Sequence, residues 1–398
     1  MTEDEFRNLL EDHLMPMLAV TGLGSTQASS PRHALVAYEH PCALLVKPTR
    51  DESYRVRLKR SQSFTSEEKR LVSLFMEELA QIIDQAGDQL FQDLMISVPR
   101  RVISKFLAEK KGSETLESAI QRFERLASQT YEGHPVVAAL GMTGSVGHGR
   151  IKLGDLWRED FSRVLSNGFD SMYACGSDGR VFRVICLPHP QSVEFAPYRL
   201  GSIAGWCESA RRVAIVLNRS GEVLIFKDKK IQFAKRRGDW RYYAHESVVQ
   251  RLGVGNARLR RAVYESCLDV SFARTGGCIA VMTKSGYRKI DKYVDEKDLI
   301  ANFQQARTKL LASTVKSNFQ NLDRRLRQEI LSLDGATVLR NTGEVVTAGA
   351  IVRVPGGSVG GGGRRAAALQ LSKMGLAIKI SADGPILGFR NKTELFSL

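Results

Sequence analysis

The sequence predicts an α/β protein, α+β overall, with helices and strands partly segregated along the chain. Residues 1–130 show helical periodicity of apolar residues, residues 131–256 are rich in short strands and tight turns, and residues 257–398 alternate helices with the strands of a mixed sheet. A chain of 398 residues is too long for one ordinary core. We therefore expect three domains with these bounds, the later part of the second joining the third.

The N-terminal region is predicted to be mostly helical. One amphipathic helix covers Glu3–Leu18, and a second begins at Thr65, where Glu68 completes the spacing of a capping box. Residues 33–48, HALVAYEHPCALLVKP, alternate as a pair of strands with a turn at the central His-Pro step. This composition favours a structural or dimerising role over chemistry.

The middle region is predicted to form a largely antiparallel sheet. An apolar strand covers residues 136–142, and hairpin turns are indicated at Asp178-Gly179 and at Ser220-Gly221. The C-terminal region then reads as helices and strands in alternation. In order these are a helix at 258–273, a strand at 276–283, a long helical stretch over 302–330, a hairpin at 336–352, a glycine loop, a helix at 364–374 and a strand from 376.

The charge balance points to an anionic partner. There are 58 basic and 43 acidic side chains, giving +15 at pH 7, and such an excess favours nucleotides, nucleic acid or an acidic surface. The basic residues are spread along the chain, which disfavours nucleic acid.

The six cysteines form no CxxC pair, the N-terminus is acidic, and no apolar run reaches the ~20 residues of a membrane span. We expect buried thiols and a cytoplasmic protein with no membrane contact.

Two motifs in the middle region allow a functional interpretation. Gly141–Arg150, GMTGSVGHGR, is glycine-rich after a strand but lacks the Lys-Ser/Thr ending of a phosphate-binding P-loop. Lys227–Tyr243 mixes cations with aromatic residues, which could bind nucleic acid by stacking, although a basic hairpin edge is the more common origin. The neighbouring His245-Glu246 is expected on a surface helix.

A third motif, SVGGGGRRAA at residues 358–367, could be a flexible linker or an anion cradle. Glycine lets backbone N–H groups approach phosphate oxygens, and a helix start adds further donors and a partial positive charge. Arg364 and Arg365 would supply cationic forks. Asp334 and Asp383 each stand at a strand end, where two carboxylates could share a divalent cation bound to phosphate oxygens.

The C-terminal region resembles the diadenylate cyclase (DAC) domain. GGCIAVMT, LDGATVL and GGGRRAAALQLSKMGLAIKISADG are similar, in order and spacing, to the family's GALIVI-type strand, DGA motif, GTRHRAA loop and terminal SEE turn. The resemblance covers about residues 257–398. It implies a mixed sheet flanked by helices that binds ATP with Mg²⁺ or Mn²⁺ and, paired with a second copy, makes cyclic di-AMP.

The resemblance also implies roles for individual residues. Asp334 would be the catalytic and metal-binding aspartate if the protein is active, and Asp383 would be the second metal ligand. The implied nucleotide and phosphate ligands are Gly335, Ala336, Gly361, Gly362, Gly363, Arg364, Arg365 and Ser381.

Several positions depart from the family pattern. Gly362 and Gly363 replace a threonine and an arginine, Arg364 replaces a histidine, and Ala382 replaces a glutamate. Loss of a charge-assisted contact to a reacting phosphate can cost about 2–4 kcal/mol at the transition state, whereas binding tolerates such losses better. The chain thus resembles the bacterial DAC-like nucleotide-sensor branch (the DACNV type). Its expected ligand is ATP or a cyclic dinucleotide, with a homodimer possible; an active diadenylate cyclase and a nucleic-acid-binding protein are the alternatives.

Overall fold

The computed structural model of the protein confirms the mixed α/β class. The described residues are 3–20, 22–28, 35–40, 42–48, 53–60, 62–85, 94–108, 110–159, 166–188, 193–209, 211–302, 305–354 and 362–398. The chain divides into two compact units. The first comprises Met1–Val193 and Leu200–Tyr243, and the second comprises Glu194–Arg199 and Ala244–Leu398.

The first unit contains two main sheets and several helices. Its helices are α1 (Glu3–Leu9), continued by a π-helical turn (Leu10–Leu14) and α2 (Met15–Leu18), then α3 (Ser66–Gln85), α4 (Val98–Leu107), α5 (Lys110–Leu126), α6 (Leu153–Leu156) and α7 (Gly201–Trp206). The smaller sheet has the strand order β1-β4-β3-β2 and is formed by β1 (Gly22–Gln27), β2 (Val36–His40), β3 (Ala43–Val46) and β4 (Tyr54–Leu58).

The predicted strand pair at 33–48 is present as β2 and β3, and two strands not predicted from the sequence, β4 and β1, extend the sheet on the β3 side. The predicted capping box is also confirmed. The Thr65 backbone N–H donates to Glu68 Oε2 over 2.7 Å, and the Glu68 backbone N–H donates to Thr65 Oγ1 over 3.1 Å. Helix α3 therefore begins where the sequence indicates.

The larger sheet of this unit has eight strands in the order β14-β13-β12-β11-β7-β9-β10-β8. They are β7 (Ala138–Met142), β8 (Ile151–Lys152), β9 (Ser171–Cys175), β10 (Arg180–Cys186), β11 (Val213–Leu217), β12 (Val223–Lys227), β13 (Lys230–Arg236) and β14 (Asp239–Tyr242); a separate two-stranded ribbon consists of β5 (Thr130–Tyr131) and β6 (His134–Pro135). Pairing is antiparallel except between β7 and β9, as predicted.

The position of strands β11–β14 differs from the expectation that they join the C-terminal domain. Strand β11 pairs with β7 from Val213↔Met142 to Leu217↔Ala138, and β12, β13 and β14 follow in the same sheet. All five residues of both β7 and β11 are buried. Burial on both faces makes these two strands the centre of the first unit's core.

The second unit is built around a six-stranded sheet with the order β17-β16-β15-β18-β19-β20. Its strands are β15 (Gly277–Met282), β16 (Ala336–Arg340), β17 (Val345–Ala350), β18 (Gly375–Ile380), β19 (Ile386–Arg390) and β20 (Thr393–Ser397). Its α-helices are α8 (His245–Leu252), α9 (Ala257–Ala273), α10 (Lys284–Tyr287), α11 (Ala306–Thr314), α12 (Arg324–Ser332) and α13 (Gly363–Leu371), and short 3₁₀ turns lie at Tyr198–Leu200, Ile290–Lys292, Glu296–Asp298, Phe319–Asn321 and Ser372–Met374.

Two expectations for this unit were wrong. The stretch 302–330 is not one long helix, because a 3₁₀ turn with the fully buried Phe319 follows α11, and Asp323 then caps a new helix by accepting from the backbone N–H groups of Arg325 and Leu326. His245 is not on the surface. It is 4% exposed, stacks on Phe195 and lies 3.0 Å from the Tyr264 hydroxyl.

The cysteine prediction holds in part. All six cysteines are free, as expected, and four of them are buried, but Cys42 is half-buried and Cys186 is exposed. Within the described ranges no helix combines the length and apolar character needed to cross a bilayer.

Candidate phosphate-binding pocket of the second unit

Strand pairing brings the predicted site residues to one edge of the six-stranded sheet. Strand β15 runs parallel to β16 and antiparallel to β18, so the N-terminal ends of β15 and β16 and the C-terminal end of β18 lie at the same edge. Asp334 and Gly335 precede β16, and Ser381–Asp383 follows β18. Helix α13 packs against β15 and β18, which places its N-terminal turn next to this edge.

A pocket of about 280 Å³ opens at this edge. Four of the predicted site residues line it: Asp334, Gly335, Gly363 and Arg364. The other described lining residues are Cys278, Ala350, Ile351, Val352, Val354, Ala366 and Ala367. The wall is therefore mainly apolar, with one carboxylate and one guanidinium among its described residues.

The backbone at Gly335 requires glycine. Its φ is +99°, and a Cβ there would lie 2.6 Å from the carbonyl oxygen of Ala350 and 2.6 Å from the carbonyl carbon of Gly349. The chain at the start of β16 thus passes directly against the end of β17. This close approach fixes the backbone beside Asp334, so the DGA motif has a structural explanation apart from any chemistry.

The residues that follow Asp334 in the motif have different surroundings. Ala336 is fully buried within the first pair of the β16–β17 ladder and packs in the core.

Arg307 also shapes this part of the site but was not identified from the sequence. It donates to the Gly349 carbonyl over 2.9 Å and to Asp298, so it holds the end of β17 next to the DGA turn. Its position in a helical stretch gave no signal of this role.

The N-terminus of α13 has no side-chain cap among the described residues. Gly362 precedes the helix with φ +81° and provides no side-chain cap, while the backbone N–H groups of Arg365 and Ala366 bond back to its carbonyl oxygen. A Cβ built on Gly362 or Gly363 would meet no described atom within 4 Å. An uncapped helix start leaves backbone N–H donors unsatisfied and carries a partial positive charge. Residues 355–361, including the predicted ligand Gly361, lie outside the described residues.

Arg364 is held at the pocket without a hydrogen-bond partner among the described residues. Its Nε is buried and unbonded, and its guanidinium lies so close to Gly276 that a Cβ there would approach Nη1 to 2.6 Å. Arg340 and Arg390 also bury Nε, but each donates from another guanidinium nitrogen, to Glu344 and to the Leu252 carbonyl. Arg364 is therefore a half-buried cation with a buried Nε donor that an anionic ligand could satisfy.

The Cys278 thiol lines the pocket in its protonated form. Burial raises its pKa to about 12, although the nearby charge of Arg364 opposes this shift. A thiol with such a pKa is a weak nucleophile at neutral pH. Cys278 thus adds apolar surface to the pocket rather than reactivity.

The remaining predicted residues lie apart from the pocket lining. Arg365, Ser381 and Asp383 are not among the described residues that line it. Ser381 closes the β18–β19 turn, donating its N–H to the Pro385 carbonyl and accepting from the Gly384 N–H, each over 2.9 Å. Asp383 is exposed in that turn.

The two predicted metal ligands are on non-adjacent strands. Asp334 precedes β16 and Asp383 follows β18, and β15 lies between these two strands, whose backbones are therefore two strand spacings apart, roughly 9–10 Å. Among the described residues no group of three His, Cys, Asp or Glu side chains could hold a metal ion. A metal ion bound by Asp334 and Asp383 would therefore need phosphate oxygens as further ligands.

In both motifs of the first unit, protein side chains already occupy the partners that a ligand would need. Asp178 Oδ1 accepts from the Gly147 backbone N–H over 2.9 Å, so a carboxylate lies where the glycine-rich loop 141–150 could have bound an anion. In the basic aromatic segment, Trp240 is 4% exposed and Lys235 pairs with Glu124 over 2.8 Å.

Tyr242 and Tyr243 of the same segment are also buried, and Arg236 pairs with the buried Glu222. The rings needed to stack nucleic-acid bases are therefore inside the core. Strand β14 is the edge of the sheet, in agreement with the interpretation as a basic hairpin edge.

Comparison with known proteins gives limited information. No protein-family model matches the chain, and no curated protein matches it. Among solved structures, a cysteine double mutant of DacA from Staphylococcus aureus is similar over 37% of this chain and 85% of that one, with 16% sequence identity and a TM-score of 0.24. This likeness is weak and does not assign a role to any residue of the pocket.

Proposed function

We propose that the second unit binds a nucleotide through its phosphates and acts as a sensor that does not convert its ligand. The observation that carries the proposal is the pocket at the sheet edge, where Arg364, without a hydrogen-bond partner among the described residues, lies beside the uncapped start of α13. A guanidinium and a helix N-terminus together bind phosphate well. The apolar wall would accept the less polar part of the ligand.

We propose binding without catalysis because the described lining of the pocket contains a single carboxylate. Phosphoryl transfer depends on positioned charges and metal ions at the reacting phosphate. Asp334 is the one carboxylate among the described lining residues, and no group of three potential metal ligands is found in the described part of the chain. Binding requires less, because Arg364 and the helix N–H groups can match the charge of the phosphates without a metal ion.

Titration calorimetry with ATP, ADP and cyclic di-AMP, with and without Mg²⁺, tests the proposal. Arg364→Ala combined with Arg365→Ala should weaken binding at least tenfold, about 1.4 kcal/mol, whether or not Mg²⁺ is present. Asp334→Ala should weaken only the Mg²⁺-dependent part. The control is Arg258→Ala with Arg288→Ala, which removes two exposed arginines of the same unit and the same total charge. If the parent and the Arg364/Arg365 double variant bind every nucleotide equally, the pocket is not a phosphate site.

The alternative is an active diadenylate cyclase, and the position of Asp334 in the pocket is the observation that favours it. Incubation of the full chain with labelled ATP and Mn²⁺ separates the two functions. Accumulation of cyclic di-AMP that is lost in Asp334→Asn would establish the enzyme and exclude a sensor without activity. Nucleotide binding without product would support the sensor.

A further inference from the structure

The connection between α9 and β15 passes beside the guanidinium of Arg364. Arg274 ends α9 with a left-handed φ of +61° and donates its backbone N–H to the Ser271 carbonyl over 3.3 Å. Gly276, which is also left-handed with φ +70°, is buried and immediately precedes β15. The connection therefore lies at the edge of the sheet that carries the pocket.

One side of the connection is fixed to the end of α12. The hydroxyl groups of Thr275 and Ser332 lie 2.8 Å apart. A Cβ on Gly277 would lie 2.5 Å from the carbonyl oxygen of Leu331, so the two backbones are in direct contact. Gly277 also begins the β15–β18 ladder, where it pairs with Ile380. The backbone is therefore held from two sides and has no room to recede.

The other side of the connection faces Arg364. A Cβ built on Gly276 would lie 2.6 Å from Nη1 and 3.2 Å from Cζ of Arg364, and 3.0 Å from the backbone nitrogen of Ala382. The separation from Nη1 is shorter than van der Waals contact, so a side chain here would force a group to move. The guanidinium thus occupies space that is free because residue 276 has no side chain.

Packing holds the guanidinium of Arg364 at this place. Its buried Nε has no hydrogen-bond partner in the described part of the chain. Its Nη1 is at the end of a long side chain with several rotatable bonds, so it moves at a smaller cost than the backbone beside it. A side chain at position 276 would therefore displace the guanidinium and leave the backbone in place.

We propose that Gly276 is a positioning residue for Arg364, because the lack of a side chain at this position lets the guanidinium reach the pocket. The inference rests on the proposed function, in which Arg364 binds a phosphate group. A charge-assisted hydrogen bond depends on distance and direction, so displacement of the guanidinium weakens binding although the charge of the site is unchanged. Gly276 is not among the described residues that line the pocket, so it acts through Arg364.

Gly276→Ala tests the proposal with a single methyl group. Gly133→Ala is the matched control, because Gly133 has φ +78°, no described atom within 4 Å of its Cβ position, and a place in the first unit. The control carries the strain of alanine at a left-handed position without a contact to Arg364. If that contact prevents Gly276→Ala from folding, addition of Arg364→Ala should restore folding, and a double variant that stays unfolded overturns the proposal.

Calorimetric titration of the full chain with ATP in the absence of Mg²⁺ measures the effect on binding. Gly276→Ala should weaken ATP binding at least fivefold, and Gly133→Ala should leave it unchanged. In an Arg364→Ala background, Gly276→Ala should cause no further loss, because the group that it displaces is gone. Unchanged affinity in Gly276→Ala, or an equal loss in Gly133→Ala or in the Arg364→Ala background, would overturn the proposal.

A second measurement needs no ligand and separates this inference from the proposed function. In protein labelled with ¹⁵N-arginine, the Nε–H resonance of Arg364 is the one that disappears in Arg364→Ala. Because this Nε is buried, Gly276→Ala should shift the resonance and speed its exchange with water at least fivefold, whereas Gly133→Ala should do neither. If the parent binds no ATP but the resonance changes in this way, the proposed function fails and the positioning of Arg364 by Gly276 stands. An unchanged resonance in Gly276→Ala overturns the positioning, whether or not ATP binds.

Discussion

Gly363→Ala separates the needs of the fold from those of a ligand. Gly363 is the first residue of α13, is exposed, and has no described atom within 4 Å of the position its Cβ would take. Nothing in the described fold therefore requires glycine here. Alanine is the better helix former by about 0.8–1 kcal/mol in a helix interior and reduces the entropy of the unfolded chain. We expect the variant to be more stable than the parent by about 0.5 kcal/mol.

The expected effect on binding has the opposite sign. If phosphate oxygens approach the backbone N–H groups at the start of α13, a methyl group at Gly363 stands in their path. We expect nucleotide affinity to fall about tenfold, which is about 1.4 kcal/mol, even though the protein becomes more stable. Loss of binding together with a gain in stability cannot be attributed to partial unfolding.

Denaturant titration measures the stability change, and calorimetry with the tightest nucleotide measures the affinity. Gly154→Ala is the matched control, since Gly154 is also helical and has no described atom near its Cβ position, but lies in the first unit. Unchanged nucleotide affinity in Gly363→Ala would refute the idea that the loop binds phosphate through its backbone. The glycines would then be a linker.

Three further predictions concern stability. Gly335→Ala should lower the free energy of unfolding by about 2–4 kcal/mol, because its Cβ would lie 2.6 Å from backbone atoms at φ +99°. Gly362→Ala, at φ +81° with no described atom near the Cβ position, should lower it by only about 1–2 kcal/mol. Denaturant titration of both variants measures the difference, which is the steric contribution at Gly335. Arg324→Leu should cost about 3–5 kcal/mol in the same assay, since Arg324 donates to both carboxylate oxygens of the fully buried Asp269, over 2.7 and 2.9 Å, and its loss leaves that charge uncompensated. The free energy of unfolding should fall as pH rises from about 9 towards 12, because burial raises the pKa of Cys278 from 9.0 to about 12 and the unfolded chain releases that proton first. In Cys278→Ala the free energy of unfolding should fall less steeply with pH. An unchanged pH dependence in that variant would contradict the raised pKa of Cys278.

Local signals in the sequence predicted local structure well. The spacing of Thr65 and Glu68 marked the start of α3, and Gly179 and Gly221 marked hairpin turns that the structure forms with φ of +74° and +71°. Each of these signals acts over a few residues, through one hydrogen bond or one backbone conformation. No distant partner is needed to form them, so their outcome could be read from the sequence.

The sequence was insufficient where distant residues decide the environment. His245 is buried because Phe195 stacks on its ring at 4.8 Å and Tyr264 lies within hydrogen-bond distance, and neither contact has a periodic signature. Trp240 is likewise buried, with its indole N–H donating to Glu124 over 2.9 Å. An aromatic residue among cations has the same local pattern in a nucleic-acid site and at a sheet edge, and only the tertiary partner distinguishes the two.

The candidate site combines both kinds of information. The motif order placed Asp334 and Arg364 in one region, and strand pairing brings them to one pocket. Motif order could not show that β15 separates the strands carrying Asp334 and Asp383, because strand order within a sheet is set by the whole topology. That separation bears on the site, because of the two aspartates only Asp334 is among the described residues that line the pocket. The same sheet edge therefore retains elements that can bind phosphate, and a single carboxylate, Asp334, is among its described lining residues.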